Sequence, residues 1–129
     1  MKTKTILVVD DSRVTRELIK VYLIARDVAL REAADGSEAL DKIRADPPDL
    51  VLADNRMPIL DGAGLCAALR ADPRLADLPV VILTSNADPA TARALRKAGA
   101  REVLQKPVQP NVLLEAVNRQ LAMTAAHRP

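Results

Sequence analysis

Five polar side chains stand at or near the ends of apolar runs, and their types could hold a cation and a phosphoryl group. They are Asp10 and Asp11 after "TILVV", Asp54 at the end of "DLVLAD", Thr84 within "PVVILTS" and Lys106 at the end of "EVLQK". In an open parallel sheet, ligands bind outside the carboxyl ends of the strands. If these runs are parallel strands, the five side chains converge on one edge of the sheet.

Such a cluster is costly as bare structure. Two carboxylates about 4 to 5 Å apart repel by roughly 3 to 4 kcal/mol at an effective dielectric near 20. Mg²⁺ removes this repulsion, since it takes oxygen ligands and is typically held by one or two carboxylates together with phosphate oxygens. Zinc is disfavoured because the sequence has no cluster of His and Cys. A lone Asp before a helix is more often an N-cap, so the prediction rests on the combination.

The elements that must position these residues alternate between strands and helices. The runs are continuous rather than alternating, which is typical of strands covered on both faces, and the more polar segment 28–34 predicts an edge strand. A helical pattern follows each strand, which predicts a parallel sheet with right-handed crossovers and helices on both faces. The predicted strands are 5–10, 28–34, 49–54, 79–85 and 102–106.

Helix starts are predicted at Ser12, after Ser37, after Gly62, at Asp88 and at Pro110. Apolar residues at helical spacing predict the buried faces. The predicted buried positions are Val14, Leu18, Val21 and Tyr22; Ala39, Leu40 and Ile43; Leu65, Cys66 and Leu69; and Leu113, Ala116, Val117 and Leu121.

Length and composition favour one domain. A chain of 129 residues with 49% apolar content can fill one core, so we expect a single domain over 1–129, with a core of 4–122 and a C-terminal tail of 123–129. His127 is expected to be solvated in that tail. The net charge of +2 gives no electrostatic case for binding nucleic acid or an anionic membrane. No apolar run approaches the roughly 20 residues that span a bilayer, and no leader segment is evident, so we expect a cytoplasmic protein.

Two residue types narrow the chemistry further. The single cysteine, Cys66, lies beside Leu65 on a predicted helix face, which favours a core thiol over a redox centre. The single aromatic residue, Tyr22, argues against stacking on a flavin or on bases.

Short motifs connect these positions to a known family. They are "VVDDS" (8–12), "DNRMP" (54–58), "LDG" (60–62), "LTS" (83–85) and "QKP" (105–107). Over residues 4 to 122 the sequence resembles the receiver domain of bacterial two-component response regulators, particularly the single-domain chemotaxis type. The spacing of 30 residues from Asp54 to Thr84 is similar to that of the family. The resemblance implies a flavodoxin-like α/β fold, a doubly wound five-stranded parallel sheet of order 2-1-3-4-5 with five helices.

The resemblance implies that Asp54 is the phosphoacceptor. The donor would be the phosphohistidine of a sensor histidine kinase or of a histidine phosphotransfer protein. Asp11 and Asp54 would ligate Mg²⁺ directly, Asp10 would do so through water, and Arg56 would contribute its backbone carbonyl. By the same resemblance, the protein is a signalling switch that catalyses only its own phosphorylation and dephosphorylation, and not an enzyme acting on other substrates.

The resemblance also assigns the readout. Thr84 would bond the phosphoryl group after moving inward, Lys106 would pair with a phosphoryl oxygen, and the peptide bond before Pro107 would be cis. A downstream protein partner would bind the surface formed by the fourth helix, fifth strand and fifth helix.

Some positions depart from the family pattern. Val103 occupies a site where many members have a rotating Tyr or Phe, so we hypothesise that signalling proceeds by displacement of the backbone and helix over 88–99. Ser85 replaces a common Ala and either slows access to the phosphoryl group or has no effect. Arg56 and Asn86 either flank the path of hydrolytic water or are simply solvated.

Three other classes share parts of this pattern. An aspartyl-phosphate phosphatase resembles a D-x-D-x-T pattern, but Arg56 stands where its second acid would be. A flavodoxin-like cofactor binder needs a Ser/Thr-rich phosphate loop after the first strand, where this sequence has an acidic pair. A receiver-like interaction module without phosphorylation is disfavoured by the full set of site residues.

Overall fold

Five strands alternate with five helices along the chain. The structure is a computed structural model that describes residues 3–127 and the side chains of residues 3–123; the expectation for the His127 side chain lies outside them. The elements are β1 Lys4–Val9, α1 Arg13–Tyr22, β2 Val28–Ala33, α2 Gly36–Ala45, β3 Leu50–Asp54, α3 Gly62–Ala71, β4 Val80–Thr84, α4 Pro89–Ala98, β5 Glu102–Gln105 and α5 Pro110–His127.

The strands form one parallel sheet in the order β2-β1-β3-β4-β5. This confirms the predicted doubly wound sheet. The polar segment 28–33 is at one edge, as its composition indicated, while β3 is central and buried up to its last residue, Asp54. The position of Asp54 therefore follows from a strand that is covered on both faces.

Both faces of the sheet are apolar because alternate residues of each strand enter different cores. In β1, Leu7 and Val9 pack with α2, α3 and α4, whereas Ile6 and Val8 pack with α1 and α5. We call these the first and second core clusters. This packing explains the continuous apolar runs of the sequence, since neither strand face meets water.

Helix starts agree with the sequence in α1 and α4 but not in α2. Ser12 and Asp88 cap α1 and α4 as predicted, and α4 ends at Gly99, whose φ of 125° suits glycine. The prediction that α2 follows Ser37 is wrong, because Asp35 is the cap. Its carboxylate accepts the Glu38 N–H at 2.8 Å, and Glu38 in turn accepts the Ala34 N–H at 3.1 Å.

The predicted buried face of α1 is also largely wrong. Val14, Leu18 and Val21 are exposed, and α1 packs on the second core cluster through Ile19 and its C-cap Leu23, with Tyr22 partly buried. Helix rotation is fixed on the polar side, where the Arg16 guanidinium bonds the Asp10 carbonyl at 2.6 Å and the Glu32 carboxylate at 3.0 Å. Since aliphatic residues occur on both sides of this helix, spacing alone did not identify the buried one.

In α5 the four predicted positions, Leu113, Ala116, Val117 and Leu121, are all buried. The helix continues to His127 and so includes part of the segment that we predicted as a tail. Over residues 3–127, no helix combines the length and apolar character that crossing a membrane requires.

A single arginine connects α3 with α4. The guanidinium of Arg70 donates to the backbone carbonyls of Ala76 at 2.9 Å, Leu78 at 2.8 Å and Gly99 at 2.6 Å. Burial lowers the pKa of Arg70. The C-terminal end of α4 is thereby attached to α3 and to the segment that precedes β4.

The reactivity of the Cys66 thiol reports whether reagents can reach the first core cluster. It is fully buried, and burial raises its pKa to about 11. Because the thiolate is the reactive form, we expect Cys66 to resist iodoacetamide at about pH 8 in the folded protein and to react after unfolding in urea, as read by intact mass.

The sign of the linked pH dependence follows from the same shift. The folded state disfavours the thiolate, so the stability that Cys66 contributes is complete below its ordinary pKa of 9.0 and is lost as the pH rises through about 11. Rapid labelling of the folded protein at about pH 8 would contradict a closed core here and favour a reactive thiol.

Candidate functional site

Three carboxylates and a lysine meet at the carboxyl edge of the sheet. Asp10 and Asp11 follow β1, Asp54 ends β3, and Lys106 follows β5. Carboxylate oxygens of the three acids lie within 4.8 Å of one another. Lys106 Nζ lies 3.0 Å from Asp54 Oδ1 and 3.3 Å from Asp10 Oδ2. The structure thus brings together four of the residues that the sequence predicted at this edge.

Asp10 is the most enclosed of the acids, with 2% of its surface exposed. Burial raises the pKa of its carboxyl group, opposed by the Ser12 N–H, which donates to it at 2.8 Å, and by Lys106. Arg16 binds the Asp10 backbone carbonyl from α1 and was not predicted from the sequence. An arginine in the first turns of a helix carries no distinctive pattern, so only the fold reveals this contact.

Lys106 supplies the positive charge among these acids. Burial lowers its pKa, but the hydrogen bonds and charges of Asp54 and Asp10 outweigh burial, so that the pKa is raised overall. The side chain therefore stays protonated at neutral pH. Its position is set by the sheet, because the Lys106 N–H donates to the Thr84 carbonyl at 2.8 Å.

The donor set fits a hard divalent cation. All three candidate side chains offer oxygen, and they range from buried Asp10 through half-buried Asp54 to exposed Asp11. A cation here would keep a side open to water, as Mg²⁺ requires. Arg56 is an exposed residue of the loop after β3, and the role of its carbonyl stays a prediction.

Thr84 is 4% exposed, and its hydroxyl is bonded to the backbone of Asn86. Oγ1 accepts the Asn86 N–H at 3.2 Å and donates to the Asn86 carbonyl at 3.3 Å. To donate to a phosphoryl group, as predicted, this hydroxyl would have to give up its bond to the Asn86 carbonyl.

The remaining predicted residues surround this edge. Ser85 and Asn86 are exposed between β4 and α4, and Val103 packs partly buried against the first core cluster. The Lys106–Pro107 peptide bond is cis, as the resemblance implies. Gln105 was not predicted: an exposed amide at a strand end has no signature in sequence, yet here it makes three hydrogen bonds.

The loop from β3 to α3 is held against α2. Met57 and Leu60 pack on the first core cluster, and the Gly62 N–H donates to the Asn55 carbonyl at 2.9 Å. A Cβ at Gly36 would overlap the backbone carbonyl of Leu60, so the loop passes where only glycine fits. This contact helps to position the chain that follows Asp54.

The fold and the site together define a class: a flavodoxin-like α/β protein with an acidic, cation-compatible site and a lysine at the carboxyl edge of its sheet. A family model described as the response regulator receiver domain matches residues 6–118. The chain belongs to this family, whose members act in two-component signal transduction.

Relatives and solved structures agree. Response regulator MprA of Mycolicibacterium vanbaalenii is 40% identical over 119 residues, which are 92% of this chain and 51% of that protein. The receiver domain of a signal transduction histidine kinase from Syntrophus aciditrophicus is 32% identical with a TM-score of 0.87, covering 94% of this chain and 92% of that one. Chemotaxis regulator CheY4 of Vibrio cholerae is 29% identical with a TM-score of 0.86, covering 92% and 99%. The chain spans about half the length of MprA.

The packing of the loop on α2 can be tested with two glycines. Gly36→Ala places a methyl group on the Leu60 backbone, so we expect a loss of about 1 to 3 kcal/mol in the free energy of unfolding, as for other overpacked sites. Gly64→Ala is the matched control, because its Cβ would meet the movable end of the Leu60 side chain.

Both substitutions are in the first turn of a helix, where alanine is intrinsically favoured over glycine by up to about 1 kcal/mol. Urea unfolding measures both. Equal effects of Gly36→Ala and Gly64→Ala would contradict the close backbone approach.

Proposed function

We propose that this receiver domain accepts a phosphoryl group on Asp54, with Mg²⁺, and thereby switches the binding of a protein partner. The observation that carries the proposal is the pair of contacts from Lys106 Nζ to Asp54 and Asp10, beside the third carboxylate of Asp11. A carboxylate next to a fixed cation and a cation-compatible site can act as a nucleophile toward a phosphorylated donor.

The proposed transfer goes from a phosphohistidine to Asp54. A carboxylate oxygen forms a bond to phosphorus while the phosphorus–nitrogen bond of the donor breaks. The electron pair of that bond passes to the imidazole nitrogen, which recovers a proton. Lys106 stays protonated, as its raised pKa supports, and pairs with a phosphoryl oxygen.

Asp10, Asp11, Asp54 and the carbonyl of Arg56 would hold Mg²⁺, which when bound neutralises charge on the transferring phosphoryl group. Asp10 is poised for this role because its burial makes the carboxylate costly without a neighbouring positive charge. The ammonium group of Lys106 already offsets part of the cost of burying the Asp10 carboxylate.

The free energy needed for switching can be compared with the free energy that two new hydrogen bonds supply. Moving a two-state domain from 1:99 to 99:1 takes about 5.5 kcal/mol of differential stabilisation. Hydrogen bonds to charged groups contribute roughly 1.5 to 3 kcal/mol each, so new bonds from Thr84 and Lys106 could supply about 3 to 6. Lys106 already contacts Asp54 and Thr84 already bonds Asn86, so the difference is smaller. Contacts outside these two side chains must contribute.

The proposed output surface comprises α4, β5 and α5. Arg119 and Gln120 of α5 donate to Glu102 of β5 at 2.7 and 2.6 Å, which holds these two elements together. The N-terminal end of α4 follows the segment bonded to Thr84, which supports displacement of α4 as the signal.

We further propose that residues 1–129 act as one cytoplasmic receiver domain. Its phosphodonor is a sensor histidine kinase or a histidine phosphotransfer protein, and its output is a bound protein partner. The function is signalling, with catalysis limited to its own phosphorylation and dephosphorylation.

Phosphoryl uptake is the direct test. On incubation with Mg²⁺ and acetyl phosphate, we expect intact mass to rise by one phosphoryl group in the wild type and in Asp41→Asn, an exposed acid of α2. Asp54→Asn should remain unmodified, since it lacks the nucleophile. An unmodified wild type, also with histidine kinases supplied, would refute the proposal and leave the interaction module as the better reading.

Metal binding is tested by stability. Because Mg²⁺ would bind only the folded site, ten times its Kd should stabilise the wild type by about 1.4 kcal/mol. Asp11→Asn removes one exposed carboxylate ligand and should abolish most of this gain, while Asp41→Asn should keep it. Thermal unfolding with and without Mg²⁺ measures this, and equal gains in both variants would exclude Asp11 as a ligand.

A further inference from the structure

Gln105 bridges the end of β5 and the segment between β4 and α4. Its Oε1 accepts the Ala87 N–H at 2.9 Å. Its Nε2 donates to the Ser85 carbonyl at 2.7 Å and to the Lys106 carbonyl at 3.1 Å. One exposed amide therefore contacts the segment on both sides of Asn86.

The same segment holds the hydroxyl of Thr84, which bonds both backbone groups of Asn86. The Asn86 side chain then accepts the N–H of Asp88, the cap of α4. A change at Thr84 must therefore pass through residues 85–88 to reach α4, and these are the residues that Gln105 contacts.

The residues on either side of this region are held in place by the sheet and by Arg70. Thr84 and Gln105 are paired in register between β4 and β5. At the other end of α4, Gly99 is bonded to Arg70. Segment 85–88 and α4 lie between these two anchors, and residues 85–88 belong to no strand, so they can rearrange without breaking the sheet.

Gln105 also lies on the same side of β5 as Val103, because residues two apart in a strand share a face. Val103 is aliphatic and packs against the first core cluster. Val103 cannot form a hydrogen bond through its side chain, so on this face of β5 the polar contact with segment 85–88 is made by the Gln105 side chain.

We propose that Gln105 is a positioning residue that holds segment 85–88 in the conformation in which Thr84 is bonded to Asn86, and so opposes the switch. This inference rests on the proposed phosphoryl switch at Asp54. Removing the amide should favour the switched conformation, a gain of response that a merely destabilising substitution would not produce.

The experiment uses beryllium fluoride with Mg²⁺ as a phosphoryl mimic and follows amide NMR signals of residues 84–90 in the whole chain. Loss of two exposed hydrogen bonds to the segment should lower the beryllium fluoride midpoint of Gln105→Ala by about threefold to tenfold. Gln109→Ala, which removes another exposed glutamine beyond Pro107, should keep the wild-type midpoint.

A second measurement needs no phosphoryl mimic. Hydrogen exchange of the Ala87 amide should accelerate in Gln105→Ala, since its acceptor is gone. Gln105→Glu keeps an acceptor for Ala87 but replaces the donor to Ser85 with an oxygen that repels the Ser85 carbonyl, so its Ala87 exchange should stay slow while its midpoint falls below that of the wild type. Thermal unfolding verifies that all variants are folded.

The outcomes separate two failures. A wild type that shows no response to beryllium fluoride overturns the proposed function and this inference with it. A responsive wild type with an equal or higher midpoint in Gln105→Ala overturns the role of Gln105 alone, as does an unchanged Ala87 exchange rate.

Discussion

The candidate functional site depends on three carboxylates being held close together. Asp10, Asp11 and Asp54 place carboxylate oxygens within 4.8 Å of each other, and carboxylates this close repel one another, least at exposed Asp11, where water screens the charge. Lys106 offsets part of this repulsion through contacts to two of the acids. The residual repulsion is what makes the cluster compatible with a bound cation, as the proposed function requires.

The two core clusters resist that repulsion. The strands β1, which Asp10 and Asp11 follow, and β3, which ends in Asp54, are buried on both faces, so these strand ends cannot move apart without disrupting both cores. The charge centre is therefore rigid on its strand side. The connecting segments are less constrained, and the hydroxyl of Thr84, at the end of β4, bonds one of these segments at Asn86.

Much of this arrangement could be predicted from sequence because the relevant signals are local. Continuous apolar runs indicate strands covered on both faces, polar residues at their ends indicate the binding edge, and Pro89 with Gly99 marks α4. The core of α5 was predicted correctly since only one of its faces is consistently apolar.

The failures arise where distant contacts decide between local options. The exposed face of α1 carries Val14, Leu18 and Val21, and tertiary contacts decide which side turns inward, among them those of Arg16 with β2 and Asp10. Likewise Asp35 and Ser37 are both suitable caps, and Asp35 caps α2, where its carboxylate accepts the Glu38 N–H and the Glu38 carboxylate accepts the Ala34 N–H. The amide network of Gln105 involves backbone groups 18 and 20 residues away, which no pattern reveals.

The contacts of Arg70 have a different kind of consequence. Its guanidinium bonds main-chain carbonyls, those of Ala76, Leu78 and Gly99, and every amino acid supplies a carbonyl. Tolerance to substitution is therefore asymmetric: side chains at 76 and 78 can change without losing their bonds to Arg70. Gly99 cannot be replaced in the same way, because a Cβ there would lie 2.7 Å from the Arg70 side chain and the backbone φ is 125°. The sequence of the segment before β4 can thus vary while Arg70 keeps the C-terminal end of α4 bonded to α3.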